Sequence, residues 1–237
     1  MRCDDFVCLG RTVPEESRKY GVRVCCAGYS EELKSLMWVY PLPVRNIMRS
    51  RNEYRVDLRR NEQDSRSESW RLLEGGCLEA TGACAGVADI TRTLRDMAVP
   101  SIRYLNQERM SLGVLLLDEI QGEFRQRSSM RCATSDQRLL FDELERDVAA
   151  AFIGAEQVDL MPYLTFADAD GMHTLQIREW GCYEWLRNSR SKASQLWDNL
   201  RLERPQLVVV GNMANHRNVW LVIKTFPMSR ERQLMLA

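Results

Sequence analysis

A chain of 237 residues, 45% hydrophobic and 28% charged, can bury one large core or two smaller ones, and its composition is that of a globular protein. Its 33 basic and 33 acidic residues cancel, which argues against a protein that holds nucleic acid by overall charge alone. No apolar run reaches the roughly 18–20 residues of a membrane helix, so no membrane partner is expected.

Met1 leads into Arg2, Cys3, Asp4 and Asp5. With no apolar stretch there, no secretory signal is predicted, and the expected location is the cytoplasm. The first half reads as short strands at 6–10 (FVCLG), 22–28 (VRVCCAG) and 36–40. Pro41 and Pro43 are expected to stop the third, because proline cannot donate a ladder hydrogen bond. Residues 30–35 read as a turn or short helical linker, and 44–50 as one helical turn. Residues 53–60 (EYRVDLRR) set Tyr54, Val56 and Leu58 against outward charges, the alternation of a half-buried strand. A polar loop follows at 61–69, and a glycine-rich loop at 75–86 (GGCLEATGACAG). Val87, Ile90, Leu94 and Met97 fall at helical spacing, with Pro100 beyond them as a stop. Residues 102–109 are ambiguous.

The second half opens with a predicted hairpin, 112–117 and 122–127. A helix is predicted over 136–153, with Leu139, Leu140, Leu144, Val148 and Phe152 on one face and Ser135 or Asp136 as its cap. Strands at 163–167 and 173–177 flank the turn Asp168-Ala-Asp-Gly171. Helices are predicted at 179–187 and 191–202, the first rich in aromatics. Pro205 introduces a strand at 206–210, a turn spans 212–218, and the last strand is 219–226. The class is α+β and β-rich. A small OB-like β-barrel is placed over 1–98, and a second β-rich domain with several helices over 99–237.

Sites of familiar chemistry are sparse. The chain has no G-x-G-x-x-G, no P-loop and no H-E-x-x-H, so no cofactor is expected. Of the eight cysteines none forms a C-x-x-C pair, and only His173 and His216 join them as imidazoles. Reduced thiols and no metal are the expectation, with Cys77 and Cys84 the one pair worth testing.

Only four of the 33 basic residues are Lys; the other 29 are Arg, which suits phosphate and stacking contacts. Arg45, Arg49, Arg51, Arg55, Arg59, Arg60 and Arg66 crowd one stretch against Glu53, Asp57, Glu62 and Asp64. On an OB barrel, Trp38, Tyr40 and Tyr54 are candidates to stack bases, and Arg45, Arg49, Arg51, Arg55 and Arg59 to hold phosphates. The alternative is a solvated strand face with its aromatics in the core.

Other constellations carry two readings each. Asp64-Ser-Arg66-Ser-Glu68 is either an internally paired corner or a carboxylate site for a hard cation or acid/base work. Asp168-Ala-Asp170-Gly-Met-His173 has the opening of a calcium loop but not its remainder, so a turn is expected. His173 with Glu179 is an acid/base candidate. Gly211-Asn-Met-Ala-Asn-His216-Arg217 is either a pocket rim or a hairpin loop.

Val24-Cys25-Cys26-Ala27-Gly28, Trp38-Val39-Tyr40-Pro41-Leu42-Pro43-Val44-Arg45 and Asp64-Ser65-Arg66-Ser67-Glu68-Ser69 together resemble a group of uncharacterised bacterial proteins with OB-like domains. Those carry V-C-x-A-G-I, W-I-R-L-Y-P-I-P-x-R and D-x-R-P-E-S. Ser111-Leu112-Gly113, Arg178-Glu179-Trp180 and Gly211-Asn212 are similar to later landmarks of the group. Here the second motif is shorter and lacks its arginine, and Ser67 replaces a proline. The resemblance implies an OB-like fold and a setting in bacterial defence or mobile elements.

The expected function is therefore binding of single-stranded or duplex nucleic acid, as a subunit of a larger assembly with protein partners. One alternative is an adaptor that touches no nucleic acid. Another is a carboxylate- or metal-dependent enzyme on nucleic acid, using Asp64, Glu68 or His173.

Overall fold

The computed structural model describes residues 1–17, 20–44, 48–126, 160–214 and 216–228. The helix predicted over 136–153 lies outside them. Five strands close into a barrel: β1 (Arg2–Arg11), β3 (Gly21–Ser30), β4 (Ser35–Pro43), β5 (Asn52–Arg60) and β6 (Ser69–Leu72). Their order is β1-β3-β4-β6-β5, and β5 returns to pair with β1. Every barrel pair is antiparallel except β4 with β6, which is parallel. That connectivity is the OB barrel expected from the sequence. The short β2 (Glu15–Ser17) hangs on β3, and β7 (Leu78–Cys84) on β5.

The second sheet runs β10-β11-β12-β14-β13-β9-β8. Its strands are β8 (Ala98–Val99), β9 (Leu112–Leu117), β10 (Ile120–Gln126), β11 (Leu160–Asp168), β12 (Gly171–Ile177), β13 (Gln206–Met213) and β14 (His216–Pro227). Helices are α1 (Val87–Asp96), α2 (Ile102–Gln107), α3 (Trp180–Asn188) and α4 (Gln195–Leu200). The β-rich α+β class therefore holds, with helices in the minority.

Three cores explain why the strands look as they do. Phe6, Cys8, Val24, Cys26, Met37, Val39, Val56 and Leu58 fill the barrel. Their neighbours in the same strands, Val7, Leu9, Ala27, Tyr29, Leu36 and Trp38, point the other way. They pack against Leu112, Val114, Leu207, Val209 and Ile223 of the second sheet and Ile90 and Leu94 of α1. Leu115, Val208, Val210 and Val222 face a third core under α2, α3 and α4. Strands buried on both faces read as continuous apolar runs, which is why FVCLG, VCCAGY and LVVVG show no alternation.

Two local expectations are corrected, and one stretch left open is assigned. Pro41 does not end β4, which continues through Pro43. The register slips between Val24 and Cys26, so β4 carries an extra residue there and Pro41 sits at a bulge, while Pro43 pairs with Arg23 as the strand's last residue. The predicted loop 75–86 contains β7, an edge strand exposed on both faces and so without an apolar pattern. The ambiguous 102–109 holds α2, whose Ser101 cap accepts a hydrogen bond from Tyr104 N at 3.1 Å.

Candidate functional site

OB barrels bind ligands on the face of their second and third strands, between the loops that flank it. In this chain that face belongs to β3 and β4. It is flanked by the connection from β1 to β3, which carries β2, and by loop 61–68 between β5 and β6. The second sheet covers much of the face. Trp38 is 2% exposed, and its Nε1 donates to the Ser111 carbonyl at 3.3 Å. Tyr54 is buried inside the barrel, where its hydroxyl accepts from Arg49 N at 2.6 Å. Neither ring offers a surface to a base, so the stacking role anticipated for them is corrected. Strand alternation decides it: Trp38 falls on the junction side of β4 and Tyr54 on the core side of β5.

The 64–69 loop is an internally paired corner. Asp64 Oδ2 lies 2.6 Å from Arg66 Nη2, and both side chains are buried. Asp64 also accepts from Arg66 N at 3.0 Å and from Ser69 Oγ at 2.7 Å. Burial pushes the Asp64 pKa up, but the hydrogen bonds and charge of Arg66 outweigh it, and the net position is below the usual carboxylate range. Glu68 faces elsewhere, accepting from Ser111 N at 2.8 Å and Ser111 Oγ at 2.7 Å. The two carboxylates are thus committed to separate internal donors rather than gathered about one point.

These contacts knit together segments far apart in sequence. Arg66 Nη1 donates to the Asn212 carbonyl at 2.9 Å, and its guanidinium sits 5.1 Å over the Trp38 ring. Val13 N donates to the Arg178 carbonyl at 2.8 Å. Trp38, Arg66, Glu68, Ser111 and Asn212, from four of the segments that carry the resemblance, are thus tied together along this junction. Beside them opens a cleft of about 730 Å³. Tyr20, Tyr40, Asn61, Asp64 and Arg66 line it from the barrel, and Arg178, Asn212 and His216 from the second sheet.

The arginine cluster divides. Arg45 lies outside the described residues. Arg49 is exposed; Arg55 is exposed beside Asp4 and opposite Glu79 on β7; Arg59 is exposed opposite Arg71 on β6. Arg66 lines the cleft, and Arg51 enters a second groove. That groove, of about 830 Å³, gathers Arg51, Arg92 and Arg95 of α1, Arg201, Arg204 and Lys224. Among the described residues no acidic side chain lines it. Lys224 is tied to Glu179, Arg92 to Asp89 and Arg204 to Glu203. Arg51, Arg95 and Arg201 have no acidic partner among the described residues.

Residues 88, 91, 92 and 95 share one helical face, a spacing visible beside the buried Ile90 and Leu94. No local signal ties that face to Arg201 and Arg204, a hundred residues on. His173 is not near Glu179 chemically: its Nε2 lies 2.9 Å from Asp168 Oδ2, whereas Glu179 binds Lys224 and Cys182. Asp168 itself accepts from Ile102 N and Asp170 N, each at 2.9 Å, so it fixes a turn and the start of α2. Cys77 and Cys84 stand at opposite ends of β7. Among the described residues no three metal-ligating side chains cluster. No helix there is long and apolar enough to cross a membrane.

No curated protein matches the chain. Among solved structures, a chain described as "Structure of murine DNA binding protein bound with ds DNA" is 8% identical, with 94% of this chain and 95% of that one covered. The TM-score is 0.34, an overlay too loose to carry a functional argument. A family model described as "Domain of unknown function (DUF8758)" matches residues 4–95, the stretch from β1 to the last turn of α1.

Proposed function

We propose that the protein binds nucleic acid along the groove between α1, the β4–β5 connection, the connection from α4 to β13 and the end of β14. One observation carries this reading: six cationic side chains from four separate segments converge there, with no acidic side chain lining the groove among the described residues. The chain is neutral overall, so this is a local concentration of charge and not a reflection of composition. Five of the six are arginines, whose planar fork matches phosphate oxygens two at a time. Phe226 and Met228 add apolar surface beside them. A phosphate backbone laid in the groove would release counterions as it meets Arg51, Arg95 and Arg201.

The test is fluorescence polarisation with labelled single-stranded and duplex oligonucleotides across a salt series. Binding that weakens steeply with salt, and that is lost in an Arg51→Glu/Arg95→Glu/Arg201→Glu variant, is the expected result. Absence of binding at low salt, or an unaffected triple variant, would overturn the proposal.

A further inference from the structure

We infer that Arg59 of β5 and Arg71 of β6 together form a binding site for a compact phosphate dianion, either free phosphate or the terminal phosphate of a small molecule. The site stands on different residues from the groove and does not depend on the groove binding anything.

The observation behind it is a pair of like charges where opposite ones would serve the fold better. Two other charged pairs face each other across β5, and both are complementary: Arg2 of β1 opposes Asp57, and Glu79 of β7 opposes Arg55. At the third position Arg59 stands directly opposite Arg71. Such residues on antiparallel strands hold their Cβ atoms about 5 Å apart, and like charges so placed repel. The register cannot slip to separate them. Leu58 and Leu72, the next pair along, both pack into the barrel core, and a slip of one residue would turn them out.

Nothing in the fold offsets the repulsion. Neither guanidinium has an acidic partner among the described residues. Asp57, the nearest outward neighbour on β5, accepts from Cys77 N at 2.8 Å. Arg59 is exposed and Arg71 half-buried, so an anion from solvent can reach the pair.

The pair also selects its ligand. Each planar fork takes two oxygens at once. A carboxylate has two oxygens and one charge, and a single arginine uses both. A phosphodiester has two unesterified oxygens and one charge, so a nucleic-acid backbone gains little from the second arginine. A phosphate monoester has three such oxygens and close to two charges at neutral pH, enough to bridge both forks and cancel their repulsion.

The experiment is calorimetric titration of the full chain at about pH 7.5, in phosphate-free buffer of low ionic strength, with inorganic phosphate, methyl phosphate, dimethyl phosphate and acetate. Inorganic phosphate or methyl phosphate should bind at least about tenfold more tightly than the other two, and the tighter of them names the source. Arg59→Ala should weaken that binding about tenfold or more; Arg55→Ala, opposite Glu79 on the same face, should not change it. Phosphate should raise the Tm of the wild type and not that of Arg59→Ala. Arg71→Lys keeps the charge without the fork and should lose the preference for the monoester. No saturable binding up to about 10 mM, equal binding of dimethyl phosphate, binding unchanged in Arg59→Ala, or equal loss in Arg55→Ala would overturn the proposal. The Arg51→Glu/Arg95→Glu/Arg201→Glu variant must still bind phosphate; loss there would move the anion to the groove and overturn this site. Failure of the groove and failure of this site are thereby separable.

Discussion

Gly211 of β13 lies flat against the Trp38 ring: a Cβ on Gly211 would sit 2.1 Å from Trp38 Cζ2 and 2.9 Å from Cη2. The largest buried side chain of the barrel therefore seats on bare backbone of the second sheet. Leu112 closes the other side, 3.2 Å from the same Cβ position. Gly211→Ala should force the two sheets apart locally and cost about 1–3 kcal/mol, as overpacking does. Urea denaturation measures it. Trp38→Phe frees the space, so the double variant should be less destabilised than the two single costs summed. Simple additivity would mean that the ring is not the obstacle.

The Asp64–Arg66 pair makes a second, sharper prediction. Asp64→Ala strands a buried guanidinium that keeps only the Asn212 carbonyl and the Trp38 ring. Breaking a buried pair from one side costs about 3–5 kcal/mol. Ser67→Ala touches only an exposed hydrogen bond to Glu68 and should change stability by under about 0.5 kcal/mol. If the two variants unfold at the same urea concentration, the corner is not the tie between the sheets that its geometry describes.

Four barrel strands were legible, β1, β3 and β4 from their apolar runs and β5 because the 53–60 alternation named its own buried face; the four-residue β6 carried no such signal. Which face of a doubly buried strand meets which core was not legible. Trp38 and Val39 look alike in sequence, yet one enters the junction and the other the barrel. The stacking platform failed for that reason. The 64–69 corner was readable as a paired motif, since its partners are neighbours. Its outward hydrogen bonds to Ser111 and Asn212 span 43 and 146 residues, and no local pattern encodes them. The groove is harder still, because Arg201 and Arg204 reach Arg51 only through the pairing of β13 and β14.

Acid should loosen the same junction. The folded-state pKa of Asp64 lies below the ordinary value of about 3.9, as does that of Asp168. Each therefore contributes stability that is complete above the ordinary value and is lost as pH falls through the folded one. Stability should be level from about pH 7 to 5 and fall below about pH 4. Asp64→Asn should be less stable at neutral pH, with the gap to wild type closing only in the acid range. Chemical denaturation at a series of pH values measures both curves. A gap that stays constant down to about pH 2 would remove Asp64 from the acid response.

Salt dependence decides whether the groove holds phosphates. Removing one arginine that neutralises a phosphate should lower the slope of log affinity against log salt by about one on duplex DNA. Arg95→Ala and Arg201→Ala, at side chains with no acidic partner among the described residues, should each reduce the slope by that amount and weaken all sequences alike. Arg204→Ala should do less, because Glu203 lies 3.4 Å from it and already offsets its charge. Arg55→Ala and Arg59→Ala, outside the groove, should leave the slope where it is. A slope that falls equally for Arg55 and Arg95 would mean diffuse surface attraction, and the nucleic acid would not be following the groove.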